Sequence, residues 1–183
     1  MSELSSLFVR ISISKENFEA FLSAPPQKPF LENSWVNWWN SREMYNTHTL
    51  TPADLYAYNN TSNKEVLEGW QSEKNTGTFY EYDEATQILN LGIIFFSENY
   101  EEMIPMLAFL IDLASYKNDN PDDFAIVYPF FWGDKHIDVW MTFYGQNAIL
   151  DNQLKNINEI DPDKFKYIEE YLIQKSKQIF SQE

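Results

Sequence analysis

The chain has 183 residues, of which 44% are hydrophobic, 17% are aromatic and none is cysteine. We therefore expect a single domain over residues 1–183 with a sizeable core, no disulfide bonds or thiolate chemistry, and a reducing cytoplasmic location. The 13 basic and 28 acidic residues give a formal net charge of −15, which argues against nucleic acid or anionic membranes and favours a cationic partner.

The first predicted element is a strand over Leu7–Ile13, where apolar and polar residues alternate as they do in a half-buried extended chain. Ser14 is suited to cap a short helix that runs to Ala24 and ends at Pro25. No basic cluster precedes the strand, so we expect no signal peptide. The longest apolar helical stretch, Met103–Ala114, is too short to span a membrane.

Residues 25–76 are predicted to form a helical and irregular insertion, because prolines and a polar turn interrupt its short helical patterns. Trp35, Trp38 and Trp39 have the i, i+3, i+4 spacing that places side chains in one ridge on a helix. This ridge is either an exposed patch that binds a protein or a sugar, or a seam that seals the insertion onto a sheet. The sequence leaves both interpretations open.

From Thr78 the apolar period changes to two, which predicts a hairpin with the four-residue loop Asp83–Thr86. If Tyr82 pairs with Gln87, a set of apolar residues shares one face of this hairpin and belongs to the core. The set comprises Tyr80, Leu89, Leu91, Ile93 and Phe95.

Two further helices are predicted. One runs from about Asn99 to Tyr116 and is apolar almost all round, so we expect it to be buried on more than one side. Pro105 should kink that helix or mark a later start. The other begins at Asp161, with Pro162 at its first position, and carries an apolar stripe. The stripe consists of Phe165, Ile168, Leu172 and Ile179.

Between these helices, Phe124–Phe143 predicts a second hairpin, with Gly133 and Asp134 as a two-residue turn. Pro129 cannot donate a hydrogen bond to the ladder, which indicates an edge strand or a bulge. In this register the core face holds Phe124, Ile126, Tyr128, Phe130, Ile137, Val139, Met141 and Phe143. The opposite face presents Phe131, His136, Asp138 and Trp140.

The order of elements is one strand, one helix, the helical insertion, a hairpin, a helix, a second hairpin and a final helix. Hairpins that alternate with helices predict an α+β fold with an antiparallel sheet of about five strands. We expect the helices to cover mainly one side of this sheet, which gives two layers.

Motifs for catalysis and cofactor binding are missing from the sequence. The two histidines have no paired spacing, so no metal site is predicted. The five glycines form no phosphate-binding loop, and the sequence contains no nucleophile elbow of a serine hydrolase. We therefore predict no catalytic residue and no cofactor, and a protein that is not an enzyme.

The acidic residues are concentrated in the middle of the chain. Between Thr78 and Asp134 there are eleven acids and one base, Lys117. Such a region can speed the encounter with a cationic protein. Our candidate contact residues combine its acids with the open hairpin face, and the Trp35, Trp38 and Trp39 ridge is a second candidate. The first set comprises Asp119, Asp122, Asp123, Phe131, Asp134, His136, Asp138 and Trp140.

In its size, its lack of cysteine, its concentrated acidity and its α+β pattern, the chain resembles the immunity proteins of bacterial toxin systems. The resemblance implies a protein that binds and neutralises a cognate toxin, such as a cationic nuclease, without catalysing a reaction. One alternative is a carbohydrate-active or other hydrolase with a carboxylate pair near tryptophan. Another is a small-ligand or adaptor module, and a homodimer also stays open.

Overall fold

The computed structural model describes residues 3–44 and 47–181 and contains a six-stranded antiparallel sheet with the strand order β2-β3-β1-β4-β5-β6. The strands are β1 Ser5–Ser12, β2 Thr78–Asp83, β3 Ile88–Ser97, β4 Phe124–Tyr128, β5 Val139–Tyr144 and β6 Asn147–Leu150. The helices are α1 Lys15–Ser23, α2 Asn33–Asn40, α3 Asn63–Ser72, α4 Tyr100–Leu110 and α5 Pro162–Phe180. The predicted α+β class with an antiparallel sheet is confirmed, and β6 raises the number of strands above the expected five.

The sheet is covered on both faces, so the molecule has three layers and not the two that we expected. Helices α1 to α4 pack on the face that holds Leu7, Val9 and Ile11 of β1. Helix α5 packs on the other face through Ile168 and Leu172. The second face needs this cover because the strands place a further set of large apolar side chains on it. This set includes Phe8, Phe79, Ile94, Phe124, Ile126 and Trp140.

The N-terminal elements form as their local sequence predicts. The alternating residues of β1 divide between the two faces, and Leu7 and Phe8, one from each face, are fully buried. The hydroxyl of Ser14 accepts a hydrogen bond of 3.2 Å from the backbone N–H of Asn17, which caps α1. The helix ends at Ser23, just before the proline pair.

In the first hairpin, Asp83 pairs with Ile88 and Tyr82 pairs with Leu89 and not with Gln87, so the pairing partner is shifted by two residues from the prediction. A shift of two residues keeps every side chain on its face. Leu89, Leu91 and Ile93 are therefore in the core with α1 to α4, as predicted. Phe95 is not, because the register between β1 and β3 shifts near the end of β3 and turns this side chain toward α5.

Helix α4 begins at Tyr100, so Pro105 lies inside it and does not mark a later start. The side chain of Asn99 accepts a hydrogen bond of 2.9 Å from the backbone N–H of Glu101 and caps the helix. Beyond Leu110 the chain continues as a 3-10 turn over Ile111–Ser115. The predicted burial on more than one side is confirmed for most of the apolar residues. The buried ones are Met103, Ile104, Leu107, Ala108, Phe109 and Leu110.

The predicted two-residue turn of the second hairpin is wrong, and its register differs by one residue. Ile126 pairs with Trp140 and Val127 with Val139, and residues 129–138 connect the two strands. Because a slip of one residue exchanges the faces, Trp140 lies on the α5 face, whereas Val139 lies on the face of α1 to α4. Regular pairing of β4 ends at Tyr128, next to the proline that has no N–H to donate.

Candidate functional site

We call the connection between β4 and β5 the 129–138 loop. It lies outside the sheet and is anchored at several points. It starts with a 3-10 turn over Phe130–Trp132, and Gly133 then adopts a left-handed backbone with φ of 69°. The loop rejoins the sheet where the Asp138 N–H donates a hydrogen bond of 2.9 Å to the Val127 carbonyl. Its second half also pairs with residues 155–157 through two backbone hydrogen bonds of 2.8 and 2.9 Å.

Two large aromatic side chains at the tip of this loop are half-exposed. Phe131 is 43% exposed and Trp132 is 46% exposed. Phe131 is held in place, because its ring stacks on Phe95 with centroids 4.9 Å apart and meets Phe130 edge-on at 5.0 Å. Within the described part of the chain, Trp132 stacks on no other ring. The sequence interpretation missed Trp132, which the assumed two-residue turn had paired with Lys135.

Asp138 closes the loop with a buried carboxylate that accepts several hydrogen bonds. The hydroxyl of Ser5 donates to Oδ2 at 2.5 Å, and the hydroxyl of Tyr100 donates to Oδ1 at 3.1 Å. Nε2 of His136 lies 3.3 Å from the same Oδ1, and Nδ1 of His136 lies 3.1 Å from Oδ2 of Asp134. The imidazole therefore bridges one buried and one exposed carboxylate.

The backbone of Asp138 is fixed by Trp38 of α2 and by Arg42. Its carbonyl accepts hydrogen bonds from the Trp38 indole at 2.9 Å and from the Arg42 guanidinium at 3.2 Å. The guanidinium also lies over the rings of Trp38 and Tyr100, 5.4 and 6.0 Å from their centroids. Burial raises the pKa of Tyr100, and the Asp138 carboxylate raises it further, so this phenol remains a donor at neutral pH.

Asp134 is the exposed acid of the site. Hydrogen bonds from the Lys135 backbone N–H and from His136 lower the pKa of Asp134, so its carboxylate is charged at neutral pH. The loop tip therefore presents this carboxylate and the exposed Lys135 beside the aromatic rings of Phe131 and Trp132. This combination suits contact with a protein surface.

The geometry of the site does not form a catalytic triad. The hydroxyl of Ser5 bonds to the Asp138 carboxylate and not to His136, so the serine–imidazole contact of a triad is not formed. In the described ranges, no group of three or more His, Cys, Asp or Glu side chains is placed to hold a metal ion. The cluster is arranged to fix the loop.

The structure separates the other predicted acids from this loop. Asp123 lies at the opposite end of β4, which has five residues and spans about 17 Å. Its carboxylate is buried between Arg10 Nη1 at 3.1 Å and Lys117 Nζ at 3.4 Å, and it accepts the Ser12 N–H at 2.8 Å. Burial raises the pKa of Asp123, whereas Ser12 and Lys117 oppose this shift.

Asp119 and Asp122 are exposed near Asp123, and Asp122 lies 3.6 Å from Lys164 Nζ. The acids of this turn and the aromatic loop therefore do not form one continuous site. Asp123 is already neutralised within the protein, so it is not available to a partner.

The predicted aromatic candidates outside the loop belong to the core. Trp35, Trp38 and Trp39 are at most 1% exposed, so they form no surface patch and instead seal α2 against the sheet. Their indole N–H groups donate to backbone carbonyls of Ala148, Asp138 and His48. Trp140 is also buried, because it stacks on Phe124 with centroids 5.0 Å apart.

A scan against protein-family models matches no family, and neither a curated protein nor a solved structure matches the chain. Among the described helices, none is both long and apolar enough to cross a membrane.

Proposed function

We propose that this protein binds and neutralises a cationic protein partner through the 129–138 loop, in the manner of an immunity protein. The observation that carries the proposal is the pair of half-exposed aromatic rings, Phe131 and Trp132, beside the charged Asp134 on an anchored loop. Tryptophan and other large aromatic residues supply much of the binding energy at protein interfaces.

The anchoring of the loop supports this function. Backbone pairing, the Asp138 carboxylate and the stacked Phe95 and Phe131 rings hold the loop before any partner arrives. A surface that is already ordered loses less conformational entropy on binding, so more of the contact energy appears as affinity. The net charge of −15 adds a long-range attraction to a cationic partner, which raises the rate of association.

The burial of the other tryptophans favours a protein contact over a hydrolase site at tryptophan. A carboxylate pair beside a sugar-stacking indole requires an exposed tryptophan. Of the six tryptophans in the sequence, Trp132 alone has a half-exposed side chain, whereas the others are at most 7% exposed. Trp132 lies on a protruding loop tip, where a partner protein can reach it.

Co-expression with a toxin encoded beside the gene tests the proposal. We expect this protein to restore growth and to form a complex whose affinity falls as salt concentration rises. Trp132→Ala should weaken the complex by about 30-fold, which corresponds to the loss of one interface hot spot. Asp134→Lys should mainly slow association, because it reverses a charge at the rim of the contact.

Tyr144→Ala is the matched control, because Tyr144 is 71% exposed but lies at the far end of β5. Six residues of β5 separate it from the loop by about 20 Å. Calorimetry or surface plasmon resonance measures all three variants. The proposal is wrong if the neighbouring toxin forms no complex, or if Trp132→Ala and Tyr144→Ala weaken the complex equally.

A further inference from the structure

A second surface feature lies on the opposite flank of α5 from the 129–138 loop. An open groove runs along α5 beside the tip of the β2–β3 hairpin, and we call it the α5 groove. It consists of two adjoining cavities of about 700 and 260 Å³ that share Tyr167 as a wall. The groove passes along α5 from Lys164 to Lys175, twelve residues that span about 16 Å of helix.

The floor of the α5 groove is a row of polar residues on the sheet face that α5 covers. Glu81 of β2, Asn90 of β3 and Arg10 of β1 are direct neighbours across the three strands. Tyr167 donates a hydrogen bond of 3.0 Å to Asn90 Oδ1, and Tyr171 donates one of 2.6 Å to Glu81 Oε2. The tyrosine hydroxyls thus extend from the helix to the row, and their rings line the groove.

The basic groups of the groove are paired within the protein. The Lys175 ammonium contacts the Glu81 carboxylate and is buried beneath the Phe79 and Tyr171 rings. Arg10 pairs with the buried Asp123 at 3.1 Å, and Lys164 lies 3.6 Å from Asp122. An anionic ligand would therefore have to displace an existing ion pair to gain a counter-charge.

The remaining acids of the groove are also engaged. Asp83 accepts a hydrogen bond of 2.8 Å from the backbone N–H of Ala85. Asp161 caps α5 by accepting the N–H groups of Asp163 and Lys164, each at 3.0 Å. The lining thus combines four acids with three bases, so the groove is close to neutral overall and favours an uncharged ligand.

We propose that the α5 groove binds a neutral oligosaccharide. Sugar hydroxyls both donate and accept, so they can use the remaining lone pairs of carboxylates and tyrosine hydroxyls together with the amide of the exposed Gln174. The C–H faces of the sugar rings can pack on Tyr167 and Tyr171. An elongated groove with aromatic walls and a few converging polar groups is the surface that such a ligand requires.

Titration followed by amide NMR of the full chain tests this assignment. The probes are neutral tetrasaccharides of glucose, in α1,4 and β1,4 linkage, and of N-acetylglucosamine, with an anionic uronate tetrasaccharide for comparison. We expect at least one neutral probe to shift resonances of Thr86, Asn90, Tyr167 and Gln174 while the 129–138 loop stays unchanged.

Gln174→Ala should weaken the binding of that probe by about tenfold, as expected for a lost hydrogen bond in a shallow site. Gln153→Ala is the matched control, because Gln153 is an exposed glutamine outside the groove. Thermal unfolding establishes that both variants remain folded. The assignment is overturned if no neutral probe shifts the groove resonances at millimolar concentration, if the shifts lie elsewhere, or if the uronate binds the groove as tightly. None of these outcomes bears on toxin binding at the loop.

Discussion

Asp138 shows how one residue connects layers of this molecule. Its carboxylate accepts hydrogen bonds from Ser5 of β1 and Tyr100 of α4. Its backbone carbonyl accepts hydrogen bonds from Trp38 of α2 and from Arg42. Removing this carboxylate would leave the hydroxyls of Ser5 and Tyr100 without their acceptor, at about 1–3 kcal/mol for each buried group. Asp138 therefore holds the loop in place, whereas the proposed partner contact rests on Trp132 and Asp134.

Gly92 of β3 is the residue at which the sheet tolerates no side chain. A Cβ atom there would lie 2.5 Å from the Phe79 ring and 2.8 Å from the Leu7 carbonyl oxygen. Because the carbonyl belongs to the neighbouring strand, it cannot move aside without disturbing the ladder. We expect Gly92→Ala to lower the free energy of unfolding by about 1–3 kcal/mol in urea denaturation.

Gly69→Ala is the control, because we expect it to change the free energy of unfolding in the opposite direction. Gly69 lies inside α3, where an added Cβ would meet nothing within 4 Å. The substitution should raise the free energy of unfolding by up to about 1 kcal/mol, because alanine favours the helix over glycine. Equal stability of the two variants would contradict this account of β3 packing.

Among the elements, the β4–β5 pair determines what the surface presents. Its observed register buries Trp140 against Phe124 and leaves Trp132 on the loop tip. The two-residue turn would have reversed these environments. Helix α5 depends on the same register, because Phe124, Ile126 and Trp140 form much of the face that it covers.

A pair of tryptophan substitutions tests this register. Trp140→Ala should lower the free energy of unfolding by about 3–5 kcal/mol, because it leaves a cavity between the sheet and α5. Trp132→Ala should change it by less than about 0.5 kcal/mol, because the side chain is half-exposed. Urea denaturation measures both, and a larger loss from Trp132→Ala would indicate the other register.

At the scale of the whole molecule, the net charge of −15 acts on stability as well as on association. Carboxylates repel one another more strongly in the compact state than in the expanded unfolded chain. Local pairs such as Lys175 with Glu81 offset only part of this repulsion. The acidity that favours a cationic partner therefore lowers the stability of the isolated protein.

Salt should consequently stabilise the isolated protein. Raising the sodium chloride concentration from about 0.01 M to 0.15 M shortens the screening length from about 30 Å to 8 Å, so the melting temperature at pH 7 should rise. The increase in melting temperature should be smaller near pH 4, because the pH there is close to the ordinary pKa values of carboxylates. Many of them are then protonated, and the negative net charge is smaller. Scanning calorimetry measures both conditions, and a melting temperature at pH 7 that falls with salt would contradict the repulsion.

Outside the insertion, local sequence patterns were sufficient to predict the kinds of elements and their order, except for strand β6. The alternation in β1, the capping residues Ser14 and Asp161 and the apolar stripe of α5 act over a few neighbouring residues, so they can be read without the fold. The same local signals were sufficient for the antiparallel α+β class.

Three features could not be predicted from local patterns: the register of β4 and β5, the burial of Trp35, Trp38 and Trp39, and the separation of Asp123 from the loop. These properties depend on contacts between segments that are distant in sequence. When a sheet has apolar residues on both faces, registers that differ by one residue all bury hydrophobic side chains. The apolar pattern therefore does not distinguish the correct register from its neighbours. Here the missing N–H of Pro129, the anchoring of Asp138 and the cover supplied by α5 select one register and leave Trp132 exposed at the loop tip.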